Sequence, residues 1–456
     1  MYALGSHYKP EWKDLEKRPL PQWYDTAKIG IFVHWGIYSV PGFKSEWFWY
    51  NWKTGDEDTN NYMKNHFTDI HTYRQFAPMF TAKSFKPDKW AKLFVNAGAQ
   101  YVVLTTKHHD GFALFPSMVA GWNSVNVGPK KDIVDMLSKS VRKYNMKFGI
   151  YYSLYEWFNR IYLDDKACNW QYHFNNCSTY TDNVVVPQIR QLINNYRPSV
   201  LWTDGSNECP HEYWKATDII AWLYNESPVK DEIVVNDRWG LGTTCRYGDF
   251  YTCDDRFNPR KLLYHKWENA FNTDILSWGF RKNIAPEEIM SFEELLRTVV
   301  VTISCGGNAL INVGPSKEGT IPRVFRERLL SLGEWLKING EAIYDTSPWF
   351  HQNDSLNSDV WYTCKKQTYD PWRTSHVPNK NDKILAVYAI FLKWPVNSLL
   401  IVEDLKYYME NSTCHVKLLD TVNSTPVTVS KQESRDRMVK VTYEDFGNKK
   451  KCVENF

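Results

Sequence analysis

The sequence predicts an α/β protein, a (β/α)8-type barrel followed by a small antiparallel β-sandwich. Three observations carry that prediction. Between residues 29 and 340, short apolar runs alternate with amphipathic stretches in a strand, loop, helix rhythm that repeats roughly every forty residues, as in a parallel sheet covered by helices. No G-x-G-x-x-G or Walker loop follows any of the apolar runs, so an open doubly wound sheet would fit the rhythm but lacks its nucleotide signature. Beyond Tyr344 the helical patterns stop, and short strand-like runs between polar turns take over. A chain of 456 residues exceeds one ordinary core, and the change of character divides it into 1–345 and 346–456.

The elements follow in order. Residues 1–28 are polar and Pro-rich, with Trp12, Trp23 and Tyr24 available to dock. Ile29-Gly-Ile-Phe-Val is a first strand ending at His34-Trp35-Gly36, and an aromatic loop, Glu46-Trp47-Phe48-Trp49-Tyr50 with Trp52, comes next. A helix opens at Pro87, places Trp90, Leu93 and Phe94 on one face and stops at Gly98. The second strand, Tyr101–Thr106, runs into Lys107-His108-His109-Asp110-Gly111-Phe112. Helix 132–144 aligns Ile133, Met136, Leu137, Val141 and Tyr144. Strand Phe148–Ser153, a long loop and a helix from Val186 to Tyr196 lead to Ser199-Val-Leu-Trp-Thr-Asp204-Gly205, an apolar strand that ends in a carboxylate and a turn. Helix 213–225, a fifth strand 232–239 and a sixth at Tyr264-His-Lys-Trp-Glu268 follow. Ser291 with Glu294 is a capping box for a helix that stops at Gly306-Gly307; Ala309–Val313 is the last barrel strand, and Pro322 opens helix 322–338. The sandwich strands are Val360–Thr363, Lys383–Leu392, Ser398–Val402, His415–Leu419, Val427–Val429 and Met438–Thr442. The tail, Asn448-Lys-Lys-Lys-Cys452, ends in lysines where an apolar strand is expected.

Composition bounds the function. The chain is 43% hydrophobic and 23% charged, with no apolar run long enough to span a bilayer. A net charge of +3 with scattered basic residues gives nucleic acid no footprint. The 21 Trp, 28 Tyr and 23 Phe are flat amphipathic surfaces of the kind that stack on sugar rings, although many must be core. Nine Cys is an odd number, and Cys168 with Cys177 and Cys245 with Cys253 are close enough in sequence to pair. Five N-glycosylation sequons begin at Asn176, Asn225, Asn353, Asn411 and Asn423, and with the cysteines they favour a secretory route. Residues 1–30 contain no apolar signal segment, so the chain reads as a mature or truncated form, or as one not secreted.

Set side by side, the strand ends bear His34, His108 with His109, Tyr151 or Tyr152, Asp204, Arg238 and Glu268. Each alone has an ordinary explanation: Asp-Gly is a common turn dipeptide, a lone His is more often a satisfied core residue, and an Arg is often half of an ion pair. Together they would gather at one mouth of a barrel, where that architecture places its chemistry. Three functions can use such a mouth. Glycoside hydrolysis needs two carboxyl groups, one ionised to attack carbon and one held protonated for the leaving oxygen, and Asp204 with Asp255 or Glu268 supplies the pair. Metal-assisted hydrolysis would use His34, His108 and His109, but adjacent strand residues point to opposite faces and no H-x-H or H-E-x-x-H is present. A sugar-binding protein without working acids is the third.

The motifs His34-Trp35-Gly36, Ser45-Glu46-Trp47, Lys107–Phe112, Trp202-Thr203-Asp204-Gly205, Asn236-Asp237-Arg238-Trp239, Lys266-Trp267-Glu268 and Asn308–Gly314 closely resemble those of the α-L-fucosidases, glycoside hydrolase family 29. The resemblance runs from Trp12 to about Lys393 and is nearest the animal tissue and plasma type. It implies a retaining exo-hydrolase that releases L-fucose from fucosylated glycans and uses neither metal nor cofactor. Asp204 matches the family's nucleophile. His34, Glu46, Trp47, His108, His109, Tyr151 and Arg238 match positions that hold the fucose ring, with Trp202 beside them in the nucleophile motif. The acid/base has no single sequence position in this family. Asp255 in the Thr-Cys-Asp-Asp-Arg loop and Glu268 are the two candidates, with Asp255 slightly favoured and Asp274 a weaker third. The acid is expected in an apolar, aromatic setting that raises its pKa, and an aromatic wall, with Trp47 a candidate, is expected against the fucose methyl. The resemblance further implies a homotetramer located in the lysosome or the extracellular space. Loops around the mouth decide which fucosyl linkage is preferred.

Overall fold

The computed structural model describes residues 7–170, 180–205, 207–367, 378–379, 381–394, 399–406, 416–419, 425–426, 428–431 and 439–442. Seven strands form one sheet: β1 (Ile29–Val33), β2 (Tyr101–Lys107), β3 (Lys147–Ser153), β4 (Val200–Asp204), β5 (Val234–Val235), β6 (Trp267–Asn272) and β7 (Gly307–Val313). Their order is β5-β4-β3-β2-β1-β7-β6, and every neighbouring pair is parallel. Every residue of β1, β2 and β7 is buried, as expected where both faces of a parallel sheet are covered.

The two sheet edges are joined by a stave too short to count as a strand. Asp249 N donates to Val235 O, Tyr251 N to Lys266 O, and Glu268 N to Tyr251 O, at 2.8–2.9 Å. Residues 249–251 therefore fill the place between β5 and β6 and curl the sheet round on itself. Alternation along the strands separates two cores. Phe32, Val103, Tyr151, Val200, Trp202, Val234, Phe250, Ala270 and Leu310 cluster inside the curl, while the intervening residues pack with helices Pro87–Asn96, Ile133–Lys143, Val186–Tyr196, Ala216–Asn225, Phe292–Ser304 and Arg323–Asn339. The N-terminal segment closes the floor: Tyr24 joins the inner cluster, and Arg18 donates to the carbonyl of Ile233.

Two strand boundaries differ from expectation. The fifth strand shrinks to two residues, because its polar continuation leaves the ladder: the Asn236 side chain donates to the carbonyl of Thr203 in β4, and the Asp237 carboxylate accepts from the backbone of Cys245. The sixth begins at Trp267, so Glu268 starts a strand rather than ending one, and it faces the floor of the barrel. Its strand, Trp-Glu-Asn-Ala-Phe-Asn, is half polar, which disguises it in an apolarity search.

The C-terminal part holds β8 (Ser347–Asn353), β9 (Val360–Lys366) and β10 (Ile384–Phe391) in one antiparallel sheet, and β11 (Leu399–Val402) with Thr428–Lys431 and Val439–Thr442 in a second. Trp349, Val360, Tyr362, Cys364, Leu400 and Val402 form a core contributed by both sheets. Among the described sequons, Asn225 exchanges two hydrogen bonds with the backbone of Tyr8, and Asn353 donates to the carbonyls of Ser358 and Val360. Asn176, Asn411, Asn423, Cys177 and the lysine-rich tail lie outside the described residues. Cys245 and Cys253 form a disulfide.

Candidate active site

The C-terminal ends of the strands deliver one cluster. Asp204 is the last residue of β4, and Gly205 after it takes φ +93°, which turns the chain away and leaves the carboxylate at the mouth. Its Oδ2 accepts from Tyr151 Oη at 2.8 Å, and its Oδ1 accepts from Gly205 N at 2.9 Å and faces Arg238 Nη1 at 3.3 Å. Arg238 spends its other terminal nitrogen, Nη2, on Asp255 Oδ1 at 2.8 Å. Its Nε donates to Thr252 Oγ1, and its guanidinium lies 4.7 Å from the centre of the Trp202 ring. One planar cation thus holds two carboxylates, one on each side of its fork.

Three histidines lie around the Asp204 carboxylate. Asn312 Nδ2 donates to Trp278 O, so its Oδ1 faces His34 Nδ1 at 2.7 Å and accepts that proton. Burial lowers the pKa of His34 to about 4, against smaller opposite effects of Asn312 and Asp204. Neutral His34 then presents Nε2 as an acceptor. His109 works likewise: Ser153 Oγ donates to Tyr155 O and accepts from His109 Nδ1 at 2.6 Å, which leaves Nε2 unprotonated. Burial, reinforced by the Lys107 and Arg238 charges, lowers His109 to about 3. The 3.5 Å approach of His109 Nε2 to Asp204 Oδ2 is therefore two acceptors side by side, a place for a donor hydroxyl rather than an ion pair. His108 stacks on Tyr151, its pKa held well below the usual range by burial, and its buried Nδ1 has no hydrogen-bond partner among the described residues. A neutral, acceptor-rich lining beside one cation suits hydroxyl groups.

Glu46 is buried, and its Oε2 accepts from the backbone N–H groups of Trp278 and Gly279 and from Ser277 Oγ. Burial raises its pKa, partly offset by those backbone bonds. Trp47 is 37% exposed and meets His109 and Trp157 edge-on or tilted, so it belongs to the rim. The inner aromatic wall is made by Phe32, Tyr151, Trp202 and Trp278 around His34. Phe32, Trp278, Thr252 and Asn312 escaped sequence reasoning as individual site residues. Phe32 could have been found from the two-residue spacing to His34, which puts both on one strand face; Trp278 lies in a loop with no pattern to mark it.

The acid candidates separate clearly. Asp255 is 45% exposed and shares Arg238 with Asp204. That replaces the expected apolar setting with an open, cationic one, because residues 252–256 form a loop after the stave and Asp255 faces Arg238. Glu268 is fully buried at the floor, accepting from Tyr24 Oη at 2.8 Å, Tyr101 Oη at 2.6 Å and Trp202 Nε1 at 3.0 Å. Burial raises it to about 7, but Trp202 stands between it and Arg238, so it does not join the mouth. Asp274 is committed to Arg281 by two bonds at 2.6 and 2.8 Å. Metal-capable atoms of three residues lie within 4.8 Å of one another, among the described residues, only at Asp237, Cys245 and Cys253, where the sulfurs are spent on the disulfide. The histidines form no such group.

The α-L-fucosidase family profile matches residues 3–341, and the α-L-fucosidase C-terminal domain profile matches 352–451. The chain is 45% identical to human plasma α-L-fucosidase over 418 residues, 91% of this chain and 85% of the relative. It is 46% identical to rat tissue α-L-fucosidase over 404 residues, 88% and 82% of the two chains. Among solved structures, Thermotoga maritima α-fucosidase in complex with a mechanism-based inhibitor superposes with a TM-score of 0.77 at 33% identity, covering 96% of both chains.

Proposed function

The chain belongs to the α-L-fucosidase family of glycoside hydrolases, and from that premise we propose that its barrel mouth hydrolyses terminal α-linked L-fucose with retention, through a covalent fucosyl-Asp204 intermediate. The carrying observation is the Arg238 fork, which holds Asp204 and Asp255 on its two terminal nitrogens. Two acceptors bridged by one guanidinium suit the separation of about 5–5.5 Å that a double displacement uses. Asp204 attacks the anomeric carbon while Asp255, in its protonated form, gives its proton to the departing oxygen. Asp255 then draws a proton from water, which hydrolyses the ester and frees Asp204. Arg238 and the Tyr151 hydroxyl hold the nucleophile in place, and the 45% exposure of Asp255 lets it exchange protons with solvent.

The neutral rings of His34, His108 and His109, with Glu46 and Arg238, take the sugar hydroxyls. The wall of Phe32, Tyr151, Trp202 and Trp278 receives the methyl group, and Trp47 covers the sugar from the rim. The chemistry requires no cofactor. The substrates are fucosylated glycans, the boundary at 345/346 separates catalytic barrel from sandwich, and the assembly is a homotetramer; its place is the lysosome or extracellular space, in line with relatives named for plasma and tissue. No helix among the described residues is long and apolar enough to cross a membrane.

The test is turnover of 4-nitrophenyl α-L-fucoside beside other α- and β-glycosides. Turnover confined to the α-L-fucoside, and retained after exhaustive chelation, is the expected result. Fucose binding without turnover would make the protein a lectin, and loss on chelation would restore the metal reading.

A further inference from the structure

Asp237, two residues beyond β5, is wholly buried, and its carboxylate accepts four hydrogen bonds. Oδ1 receives the backbone N–H of Thr252 at 2.9 Å and its hydroxyl at 2.6 Å. Oδ2 receives the backbone N–H groups of Cys245 at 2.7 Å and Cys253 at 3.1 Å, the two residues joined by the disulfide. Both cysteines hold left-handed backbone, φ 58° and 49°, which L-residues enter only when their surroundings over-determine it. The proton on the Thr252 hydroxyl is committed to Asp237, so the hydroxyl offers Arg238 Nε a lone pair, at 3.0 Å. Arg238 then aims one terminal nitrogen at Asp204 and the other at Asp255.

The geometry points to Asp237 as a positioning residue: its carboxylate fixes the disulfide-closed loop 245–255 and, through Thr252, the Arg238 fork, so that Asp255 is held over the leaving-group oxygen. Asparagine cannot take this place. Its amide has one acceptor oxygen, and whichever way it is turned its NH2 faces either two backbone donors or the Thr252 N–H and hydroxyl pair. The loop must then shift, and Asp255 with it. The inference rests on Asp255 being the acid, so its test must tell the failure of one from the failure of the other.

Asp237→Asn, Asp255→Ala and the double variant are assayed on 4-nitrophenyl α-L-fucoside, whose leaving group needs little protonation, and on a fucosyl disaccharide, whose leaving group needs it fully. Asp237→Asn is expected to lower kcat/KM on the disaccharide about tenfold more than on the aryl fucoside, and to add less than about twofold on the disaccharide once Asp255 is alanine. A purely structural role would lower both substrates by the same factor and act equally in both backgrounds, and either result, or no loss at all, overturns the inference. Equal losses in Asp255→Ala alone would remove the acid assignment itself. Thr252→Val keeps the backbone bonds and deletes only the hydroxyl link. It is read by the same ratio if Asp237→Asn fails to give native near-ultraviolet circular dichroism, and an unselective loss there is equally contradictory.

Discussion

Asp204 and Asp255 share a guanidinium but not their surroundings. Asp204 is fixed by Tyr151, Gly205 and Arg238, with a side chain 21% exposed, whereas the Asp255 carboxylate is held, among the described residues, by Arg238 alone and is open to solvent. A nucleophile gains from fixed geometry, and an acid/base that must exchange protons twice per turnover gains from access to water. Glu268, with three donors at the floor, has the bonding of a structural anchor. Substrates that differ in leaving group separate the two acid candidates. Asp255→Ala should cost about 10²–10⁴-fold in kcat/KM on a poor leaving group and far less on a nitrophenyl fucoside. Glu268→Gln should lower both alike and lower the melting temperature, because its amide would turn a donor towards Trp202 or the tyrosines. A leaving-group-selective loss in Glu268→Gln would return the acid role to it. The misplacement of Glu268 has a physical origin: at the start of Trp267–Asn272 it is an inward polar residue of a mixed strand, and apolar patterning took the end of the preceding loop for strand.

At the scale of elements, continuous apolar strands and capped helices were legible in the sequence. β1, β2, β3, β4 and β7 lie within two residues of where their buried runs put them. Helices Ile133–Lys143 and Phe292–Ser304 begin where Asp132 and Ser291 accept from the backbone N–H groups of Asp135 and Glu294. The stave 249–251 was not legible, because three residues are too few to leave a periodicity to read. The strand-end cluster was legible because parallel topology alone brings those ends together, while Asp255 and Glu268 were legible only as alternative partners of Asp204, and the preference for Asp255 leaned on the family resemblance. The turn after β4 is a sharp test of element-level geometry. A Cβ on Gly205 would lie 2.4 Å from the Tyr155 ring, on backbone that L-residues avoid, and Tyr155 stacks on His109 at 4.5 Å. Gly205→Ala should destabilise the fold by about 1–3 kcal/mol and, by moving Tyr155 and His109, lower kcat/KM as well. Wild-type melting and activity in this variant would contradict the described turn.

Over the whole molecule, barrel and sandwich are packed together: Trp361 and Ile390 of the sandwich belong to the main core, and Thr363 Oγ1 donates to Ala342 O at 2.6 Å. A set of buried titratable groups links this fold to pH. His34 and His109, lowered to about 4 and 3, stay neutral in the folded state, so their contribution is complete above the unfolded value of 6.5 and is lost as pH falls towards 4. Glu268, raised to about 7, and Asp110, raised to about 6, both by burial, oppose this: the folded state keeps their protons, and stability drops as pH rises from the ordinary carboxylate range through those values. The two tendencies oppose each other between pH 4.5 and 6, and single variants uncover each. In that window Glu268→Gln should make unfolding free energy rise more steeply with pH, and His109→Gln should flatten it, each by about 1.4 kcal/mol per pH unit. Denaturant unfolding at several pH values reads the slopes; unchanged slopes would mean that these groups are not held as described.

The central claim is that Asp204 forms a covalent bond to fucose. Incubation with a 2-deoxy-2-fluoro-fucosyl substrate bearing a good leaving group, followed by peptide mass analysis, tests it most directly, since the fluorine slows both formation and hydrolysis of the ester while the reactive leaving group speeds only its formation, so the ester accumulates. The peptide containing Asp204 should gain the mass of one fluorofucosyl unit and lose the label in the Asp204→Ala variant. A label on any other carboxylate, or an active enzyme that releases β-fucose first and takes no label, would contradict it.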